Sequence, residues 1–438
     1  MKRVLINRLK DWKKSPRRKP MLVMGARQVG KTTLLRTFGK TMYRNLVELN
    51  FDDQPHLKQL FERDLKPERI VRDIGLELNM DIIPGETLLL FDEIQECPNA
   101  LNSLKYFREN ANEYHVCGAG SLLGVKLSHT KGFPVGQVHF EKLYPLSFFE
   151  FLDALNQTRL KDYLLSLTPK DKINEAIHEK CLDYLKQYFV IGGMPEAVET
   201  YLKTENFDAV REVHRDILRA YDLDFVKHAP PDLVMKITDC FHSIGSQLSK
   251  ENKKFIYSVV REGARARSYE EALQWLVEAN LFNKVTQVST PKLPIRTYEN
   301  SQCFKVYFCD VGLLNTLANL PINTLIHGND LFQEFHGALA ENFVSQELSL
   351  HHERLHYWTS ENRAEVDFVF QQEDSIYPLE VKSGTTHHKK SLIAYRDKYH
   401  PPMMLRTSPQ NLDIQAGFIN LPLYLVGQVA QFLCGSSR

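Results

Sequence analysis

The sequence predicts an α/β protein whose first domain is a parallel sheet with helices on both faces. An apolar run at residues 21–24 enters a loop bracketed by glycines, and a helical pattern follows from Lys31. A second apolar run at residues 87–91 ends in Asp92 and Glu93. Continuous apolar runs are typical of strands that are buried on both faces of a parallel sheet. Strands and helices alternate here, so we expect a doubly wound sheet with its ligand at the carboxyl ends of the strands.

The loop after the first run has the spacing of a phosphate-binding P-loop. Gly25, Gly30, Lys31 and Thr32 match G-x-x-x-x-G-K-[ST]. The glycines let the backbone curl around an anion, and the helix N-terminus adds partial positive charge. We expect Lys31 to reach the β- and γ-phosphates and the Thr32 hydroxyl to hold Mg²⁺. The predicted cofactors are therefore ATP and Mg²⁺, and the predicted binding residues are Gly25, Ala26, Arg27, Gln28, Val29, Gly30, Lys31, Thr32 and Thr33.

The ends of the next two strands supply the other residues expected at this site. Asp92 would bind Mg²⁺ through water, and Glu93 would polarise the water that attacks the γ-phosphate. The predicted strand 114–119 leads to Ser121, which could lie beside the γ-phosphate and sense hydrolysis. Alternatively, Ser121 caps the following helix. The predicted catalytic residues are Lys31, Glu93 and Ser121.

Composition limits the remaining possibilities. The 438 residues are enough for two to four domains, and the net charge of +1 provides no global basic field. A nucleic-acid surface would therefore be a local patch. No apolar run approaches membrane-spanning length, and the N-terminus lacks a secretory pattern. Seven dispersed cysteines without a C-x-x-C pair favour reduced thiols, so we expect a cytoplasmic protein without a membrane partner.

Changes in pattern along the chain predict four domains. Residues 1–140 would be the P-loop domain, which begins with a basic helix docked on the sheet, and residues 141–226 would be a helical lid. Residues 227–320 show helices followed by two strands, which indicates a winged helix. Its basic edge could contact DNA phosphates, or it could be the solvated surface of a protein-binding module. That edge consists of Lys253, Lys254, Arg261, Arg265 and Arg267.

The last predicted domain, residues 321–438, carries four charged residues in a nuclease-like pattern. Glu341 lies in a predicted helix, Asp367 in a strand, and Glu380 and Lys382 share one face of the next strand. This matches the D…E-x-K constellation of restriction-endonuclease-like proteins. Asp367 and Glu380 would bind a second Mg²⁺ or Mn²⁺, with Glu341 as an outer acid and Lys382 stabilising charge or helping to deprotonate water.

Other interpretations of these carboxylates are a binding scaffold and a structural cluster of salt bridges. The basic run 387–390 could flank a nucleic-acid groove.

Five motifs together resemble a known family. They are Gly25–Thr32, Leu88–Glu93, Gly120–Ser121, Leu143–Phe148 and Gly192–Pro195. The chain is similar to AAA-type ATPases of bacteria and archaea that end in a poorly characterised nuclease-like domain. It also resembles the archaeal ATPase group, in which a P-loop domain precedes a winged helix and a restriction-endonuclease-like fold. The resemblance implies ATP binding and hydrolysis, with a largely undefined physiological substrate.

One departure from the family pattern concerns a charge-stabilising arginine. Relatives usually carry Gly-Arg before Leu-Tyr-Pro-Leu, whereas this chain has Gly136 and Gln137. If that arginine acts as a finger in relatives, this chain lacks it there. Arg211, Arg215 or Arg219 could substitute for it.

Two functions follow from the sequence. The first is an ATPase that couples nucleotide state to a nuclease-like domain acting on or binding DNA. The alternative is an ATP-driven switch for a protein partner, with a catalytically silent C-terminal domain. A small-molecule kinase is a third class, but the sequence offers no acceptor pocket. Oligomers are compatible with either of the first two functions.

Overall fold

A computed structural model describes residues 1–121, 136–250, 253–327, 333–360, 364–384 and 390–433. The chain divides into two compact units. The first consists of Met1–Tyr144 with Glu278–Asn280, and the second of Pro145–Val277 with Leu281–Arg438. The regions predicted as lid, winged helix and C-terminal domain therefore lie in one unit.

The first unit is built on a parallel five-stranded sheet. Its strands are β1 (Met21–Met24), β2 (Asn45–Asn50), β3 (Thr87–Asp92), β4 (His115–Ala119) and β5 (His139–Lys142), in the order β2-β3-β4-β1-β5. Every residue of β3 is buried, as expected for an apolar strand with both faces covered. The helices are Leu5–Lys14, Lys31–Met42, Pro67–Leu78 and Pro98–Asn110, with 3₁₀ turns at Pro55–Phe61 and Ile94–Glu96.

The N-terminal helix docks on this unit, as its apolar spacing predicted. Leu5, Leu9 and Trp12 are buried, and the Trp12 indole N–H donates to the Lys19 carbonyl oxygen at 2.7 Å. The apolar face of the helix therefore holds it in place, and its basic residues lie mainly on the other side.

The second unit contains one mixed eight-stranded sheet. Its strands are β6 (Phe282–Val288), β7 (Glu299–Phe308), β8 (Leu355–Ser360), β9 (Ala364–Gln372), β10 (Ser375–Val381), β11 (Met404–Ser408), β12 (Asp413–Gln415) and β13 (Phe418–Pro422), in the order β12-β13-β11-β10-β9-β8-β6-β7. The helices are Phe148–Ala154, Thr158–Ser166, Glu175–Ile191, Pro195–Thr204, Phe207–His228, Val234–Leu248, Tyr257–Val260, Ala266–Glu278, Val311–Leu317, Ile322–His327, Gln333–Leu348, Lys390–Tyr399 and Val429–Leu433.

The strands predicted as the wing belong to this larger sheet. β6 and β7 pair antiparallel, but β6 also pairs in parallel with β8. The two strands are thus the outer part of the sheet that contains the C-terminal strands. A separate winged helix is not confirmed, and neither is the restriction-endonuclease-like assignment of the C-terminal region.

The Gly-Gly-Met-Pro motif is a site of close backbone packing. The Gly193 N–H donates to Asp310 Oδ2 at 2.6 Å, and the Gly193 carbonyl accepts from the Leu146 N–H at 2.7 Å. Gly192 has φ +68°, and a Cβ there would lie 2.2 Å from Asp310 Oδ1. Asp310 also caps the helix Val311–Leu317. The motif therefore serves the fold, because it lets three backbone segments meet.

A buried carboxylate supports the second half of the Leu143–Phe148 motif. Ser147 and Glu150 form a capping box at the start of the helix Phe148–Ala154. The Phe148 N–H donates to Glu347 Oε1 at 2.9 Å. Glu347 is buried in the helix Gln333–Leu348, and burial raises the pKa of its carboxyl to about 8.

We expect Glu347→Gln to stabilise the protein at neutral and alkaline pH. A carboxyl whose pKa is raised by folding contributes stability that is fully present below its unfolded pKa, near 4.3, and lost as the pH rises through 8. Glutamine keeps an oxygen that can accept from Phe148 but does not ionise. The difference in melting temperature between variant and wild type should therefore grow from pH 5 to pH 8 and then level off.

Thermal unfolding at several pH values measures this difference. Glu179→Gln, an exposed change on the helix Glu175–Ile191, is the matched control and should show no such trend. If the difference in melting temperature between Glu347→Gln and wild type is constant from pH 5 to pH 8, the raised pKa of Glu347 is contradicted.

Candidate functional site

The loop between β1 and the helix Lys31–Met42 has a backbone that requires its two motif glycines. Gly25 has φ +147°, and a Cβ there would lie 2.1 Å from the Leu143 carbonyl oxygen. Gly30 has φ +90° and is the N-cap of the helix. Both angles are rarely adopted by other residues. The loop therefore has the tight curl that its sequence predicted.

The Lys31 side chain packs against the loop that precedes it. Its side chain is buried, and Nζ donates to the carbonyl oxygens of Gly25 at 3.0 Å and Ala26 at 2.8 Å. A buried ammonium in a curled loop is a fixed positive charge next to the N-terminus of a helix. This is the arrangement that favours a phosphate ligand.

Thr32 and Asp92, predicted as the Mg²⁺ residues, are in direct contact. Thr32 Oγ1 donates to both carboxylate oxygens of Asp92, at 2.9 and 3.1 Å. Burial, with the nearby carboxylates of Glu93 and Glu48, raises the pKa of Asp92, and the Thr32 hydrogen bond opposes this. A hydroxyl and a carboxylate are hard oxygen donors, which suits Mg²⁺; such sites usually take few protein ligands and complete the shell with phosphate and water.

Asn50 is a third member of this group that the sequence analysis missed. It ends β2, where it pairs in register with Asp92, and its Nδ2 donates to Asp92 Oδ2 at 3.3 Å. The sequence offered only a polar residue at the end of a predicted strand as a signal.

Glu93 begins a sharp turn at the end of β3. Its φ of +46° is in the left-handed region, and its Oε2 accepts a short hydrogen bond from Gln95 Nε2. Gln95 is buried. The side-chain amide two residues later therefore fixes the direction of the Glu93 carboxylate, a contact that the sequence analysis did not anticipate.

Ser121 follows β4 and is buried. In the sheet β4 lies between β3 and β1, so Ser121 is at the same edge as the loop and Asp92. The alternative, capping of a following helix, concerns residues that lie outside the described part of the chain.

Arg3 contacts the far end of the loop. Its guanidinium donates to the Val29 carbonyl at 3.0 Å and to the Tyr144 carbonyl. Nothing in the sequence distinguished Arg3 from the other basic residues of the N-terminal segment.

The three arginines discussed as substitutes for a finger have local partners. Gln137, at the position of the missing arginine, lies two residues before the edge strand β5. In the second unit, Arg215 pairs with Glu212 and Arg219 pairs with Asp216, both within the helix Phe207–His228. Arg211 donates to the Leu320 carbonyl.

The structure brings together the side chains of the four charged residues of the C-terminal region, which are Glu341, Asp367, Glu380 and Lys382. Lys382 Nζ lies 2.9 Å from Glu380 Oε1, and Asp367 Oδ2 accepts from the Val381 N–H at 2.8 Å. Glu341, in the helix Gln333–Leu348, accepts from the Tyr307 hydroxyl at 2.7 Å. The basic run 387–389 lies outside the described residues, whereas Lys390 begins a helix.

Two lysines that were not expected here enter this group of carboxylates. Lys253, predicted for the DNA edge, is largely buried and forms an ion pair with Glu341. Lys305 is 1% exposed and pairs with Glu365. The predicted basic edge is therefore reduced, because Lys253 faces inward, while Arg261, Arg265 and Arg267 are exposed.

The predicted second metal site is not supported by this geometry. Among the described residues, no three His, Cys, Asp or Glu side chains are grouped so that they could hold a metal ion. In the same part of the chain, no helix is long and apolar enough to cross a bilayer.

Family models match three segments of the chain. Residues 17–152 match the model described as AAA domain, residues 182–324 match "Domain of unknown function (DUF8612)", and residues 336–426 match "Domain of unknown function (DUF4143)". The chain carries an AAA domain. The AAA domain contains the whole loop 25–33, Asp92 and Glu93, so the predicted P-loop ATPase assignment of this region is confirmed at that level.

Solved structures and curated proteins add little to the AAA assignment. No curated protein matches the chain. A Walker-type ATPase of Pyrococcus abyssi is 15% identical over 71% of this chain and 94% of its own, with a TM-score of 0.44. Aeropyrum pernix Orc1 in complex with DNA is 12% identical (72% and 92% covered, TM-score 0.29). Aquifex aeolicus DnaA bound to AMPPCP is 16% identical (63% and 86%, TM-score 0.28). These TM-scores are too low to establish a shared fold.

Proposed function

We propose that this chain binds ATP with Mg²⁺ at the loop 25–33 and hydrolyses it. The observation that carries the proposal is the contact between Thr32 and Asp92, with Lys31 buried in the adjacent loop. These residues come from two different strand ends and meet at one edge of the sheet. The sequence match to the AAA domain model supports the same assignment.

In this proposal Lys31 exchanges partners when nucleotide binds. Its donors now satisfy the Gly25 and Ala26 carbonyls, which are neutral acceptors. Phosphate oxygens are anionic acceptors, so a bond from the Lys31 ammonium to them adds an attraction between opposite charges that the bonds to neutral carbonyls lack. The ammonium would therefore turn to the β- and γ-phosphates with little movement of its backbone.

Thr32 and Asp92 would hold Mg²⁺, and Asn50 would orient the Asp92 carboxylate. The ion, when bound, neutralises charge on the phosphate oxygens. Glu93 would accept a proton from the attacking water, with Gln95 fixing its direction, and Ser121 would respond to the γ-phosphate.

We expect Lys31→Ala to weaken ATP binding by about 10- to 100-fold. A hydrogen bond to a charged group contributes about 1.5–3 kcal/mol, and each 1.4 kcal/mol is a factor of ten in affinity. Isothermal titration with ATP and Mg²⁺ measures the change. Lys40→Ala, at the exposed end of the same helix, is the control and should bind ATP normally. Equal affinity in the Lys31→Ala variant would rule out the P-loop assignment.

The purpose of ATP turnover is the second part of the proposal. The carboxylates of the C-terminal region are engaged by lysines, which favours a switch for a partner over a metal-dependent cutting activity. Arg261, Arg265 and Arg267 remain exposed and could contact DNA, so the partner could be nucleic acid.

ATP hydrolysis measured with single-stranded, duplex and branched DNA decides between these partners. Stimulation that is lost in an Arg261→Ala, Arg265→Ala, Arg267→Ala triple variant would identify DNA. Hydrolysis that ignores every DNA would favour a protein partner.

A further inference from the structure

The carboxylates of the second unit converge on a lysine that belongs to the chain itself. Lys305 lies in β7, and its Nζ is 2.5 Å from Glu365 Oε1, 3.7 Å from Asp367 Oδ1 and 3.9 Å from Glu341 Oε2. Glu365 and Asp367 belong to β9, and Glu341 belongs to the helix Gln333–Leu348. One ammonium thus lies where carboxylate oxygens from two elements face each other.

Most of the other oxygens of the group also have donors. Asp367 Oδ2 accepts from the Val381 N–H at 2.8 Å. Glu341 accepts from Lys253 through Oε1 and from the Tyr307 hydroxyl through Oε2. The exception is Glu380 Oε2, which is buried and has no hydrogen-bond partner among the described residues. Mg²⁺ demands oxygens at about 2.0–2.1 Å in near-octahedral geometry, which these contacts do not allow while Lys305 lies among the carboxylates.

Three ammonium groups offset most of the charge of the four carboxylates. The carboxylates are Glu341, Glu365, Asp367 and Glu380, and the ammonium groups are those of Lys253, Lys305 and Lys382. A divalent cation added to this set would meet a fixed positive charge within a few ångströms. In a buried site that repulsion is poorly screened.

Lys305 stays charged in its buried position. Burial alone would lower its pKa, but the carboxylates of Glu341, Glu365 and Asp367 outweigh burial and raise the pKa above its usual value. The ammonium groups of Lys253 and Lys305 have the converse effect on Glu341. They outweigh the effect of burial and lower the pKa of its carboxyl. The group is therefore an ion-pair network in which each buried charge has a partner.

We propose that Lys305 is the resident cation of this carboxylate group, in place of the Mg²⁺ or Mn²⁺ that the nuclease-like pattern implies. The ammonium ties β7 to β9 and to the helix Gln333–Leu348. The D…E-x-K pattern is thereby retained as an internal ion-pair network, and the second unit does not cut nucleic acid by a metal-dependent route. Lys305 and Tyr307 share one face of β7, which explains why both reach Glu341.

Mn²⁺ binding to the full chain tests the proposal independently of ATP hydrolysis. A Thr32→Ala background without nucleotide removes the P-loop contribution, and electron paramagnetic resonance measures free Mn²⁺. We expect no stoichiometric Mn²⁺ site in this background. Adding Lys305→Ala should create one site, and this variant should bind Mn²⁺ at least tenfold more strongly than the Thr32→Ala chain. Further adding Asp367→Asn should remove the site.

Two results would overturn the proposal. One is a stoichiometric Mn²⁺ in the Thr32→Ala chain that Asp367→Asn removes, because the carboxylates would then bind metal with Lys305 in place. The other is a folded Lys305→Ala chain that binds no Mn²⁺. If Lys305→Ala does not fold, the first measurement alone decides, since it uses the native lysine.

Discussion

We expect Glu93→Gln to lower the maximal rate of ATP hydrolysis by about 10²- to 10⁴-fold and to leave ATP affinity nearly unchanged. A general base typically contributes a factor of this size, because it accepts the proton in the transition state. Glutamine has the same shape and can still accept the Gln95 hydrogen bond, but it cannot take up a proton. The loss should therefore fall on kcat and leave KM almost unaltered.

Steady-state hydrolysis with Mg²⁺, together with titration of ATP, separates the two effects. Glu109→Gln, an exposed change on the helix Pro98–Asn110, is the matched control and should hydrolyse ATP at the wild-type rate. A Glu93→Gln variant with turnover within twofold of wild type would move the role of base to another residue.

The second large effect is on folding, in the backbone contact of Gly193. A Cβ on Gly193 would lie 2.2 Å from the carbonyl oxygen and 2.7 Å from the nitrogen of Leu146. These atoms are backbone and cannot rotate away, and Gly193 is hydrogen-bonded to Leu146 and Asp310. We expect Gly193→Ala to lower the free energy of unfolding of the second unit by roughly 3 kcal/mol, the upper end for overpacking.

A loss of that size corresponds to a melting temperature lower by roughly 6 °C, the low end of the shift for domains of about 150–250 residues, because the second unit is larger than these. The control is Gly245→Ala, in the last turn of the helix Val234–Leu248, where the nearest atom to an added Cβ is 3.6 Å away. Alanine in a helix is more favourable than glycine by about 0.5–1 kcal/mol, so this variant should be as stable as wild type or more so. Equal melting temperatures for the two variants would contradict the packing argument.

The nucleotide site was predictable because its signals are local. The loop motif, the apolar strand before Asp92 and the strand end before Ser121 each lie within a few residues of sequence. Motif and strand order together place Thr32 beside Asp92. Asn50 was missed because its role depends on β2 lying next to β3, a neighbour relation that no short pattern encodes.

The C-terminal group was predicted only in part. Strand alternation predicted that Glu380 and Lys382 share one face. Their side chains are in contact, although β10 ends at Val381, one residue before Lys382. Lys305 was missed because a single lysine in a β-strand ordinarily reaches solvent, and its burial depends on carboxylates contributed by distant segments. Lys253 was assigned to the surface for the same reason.

The parallel pairing of β6 with β8 has a consequence for the order in which the protein is made. Val285 of β6 pairs with Leu355, which is 70 residues further along the chain. At about 5–20 residues per second, a ribosome would need several seconds to supply that partner. Throughout this interval one edge of the nascent β6–β7 hairpin is unpaired and available to other strands. A chain cut between the two matched segments of unknown function would keep that edge permanently open, so the two segments match separate family models but complete one sheet.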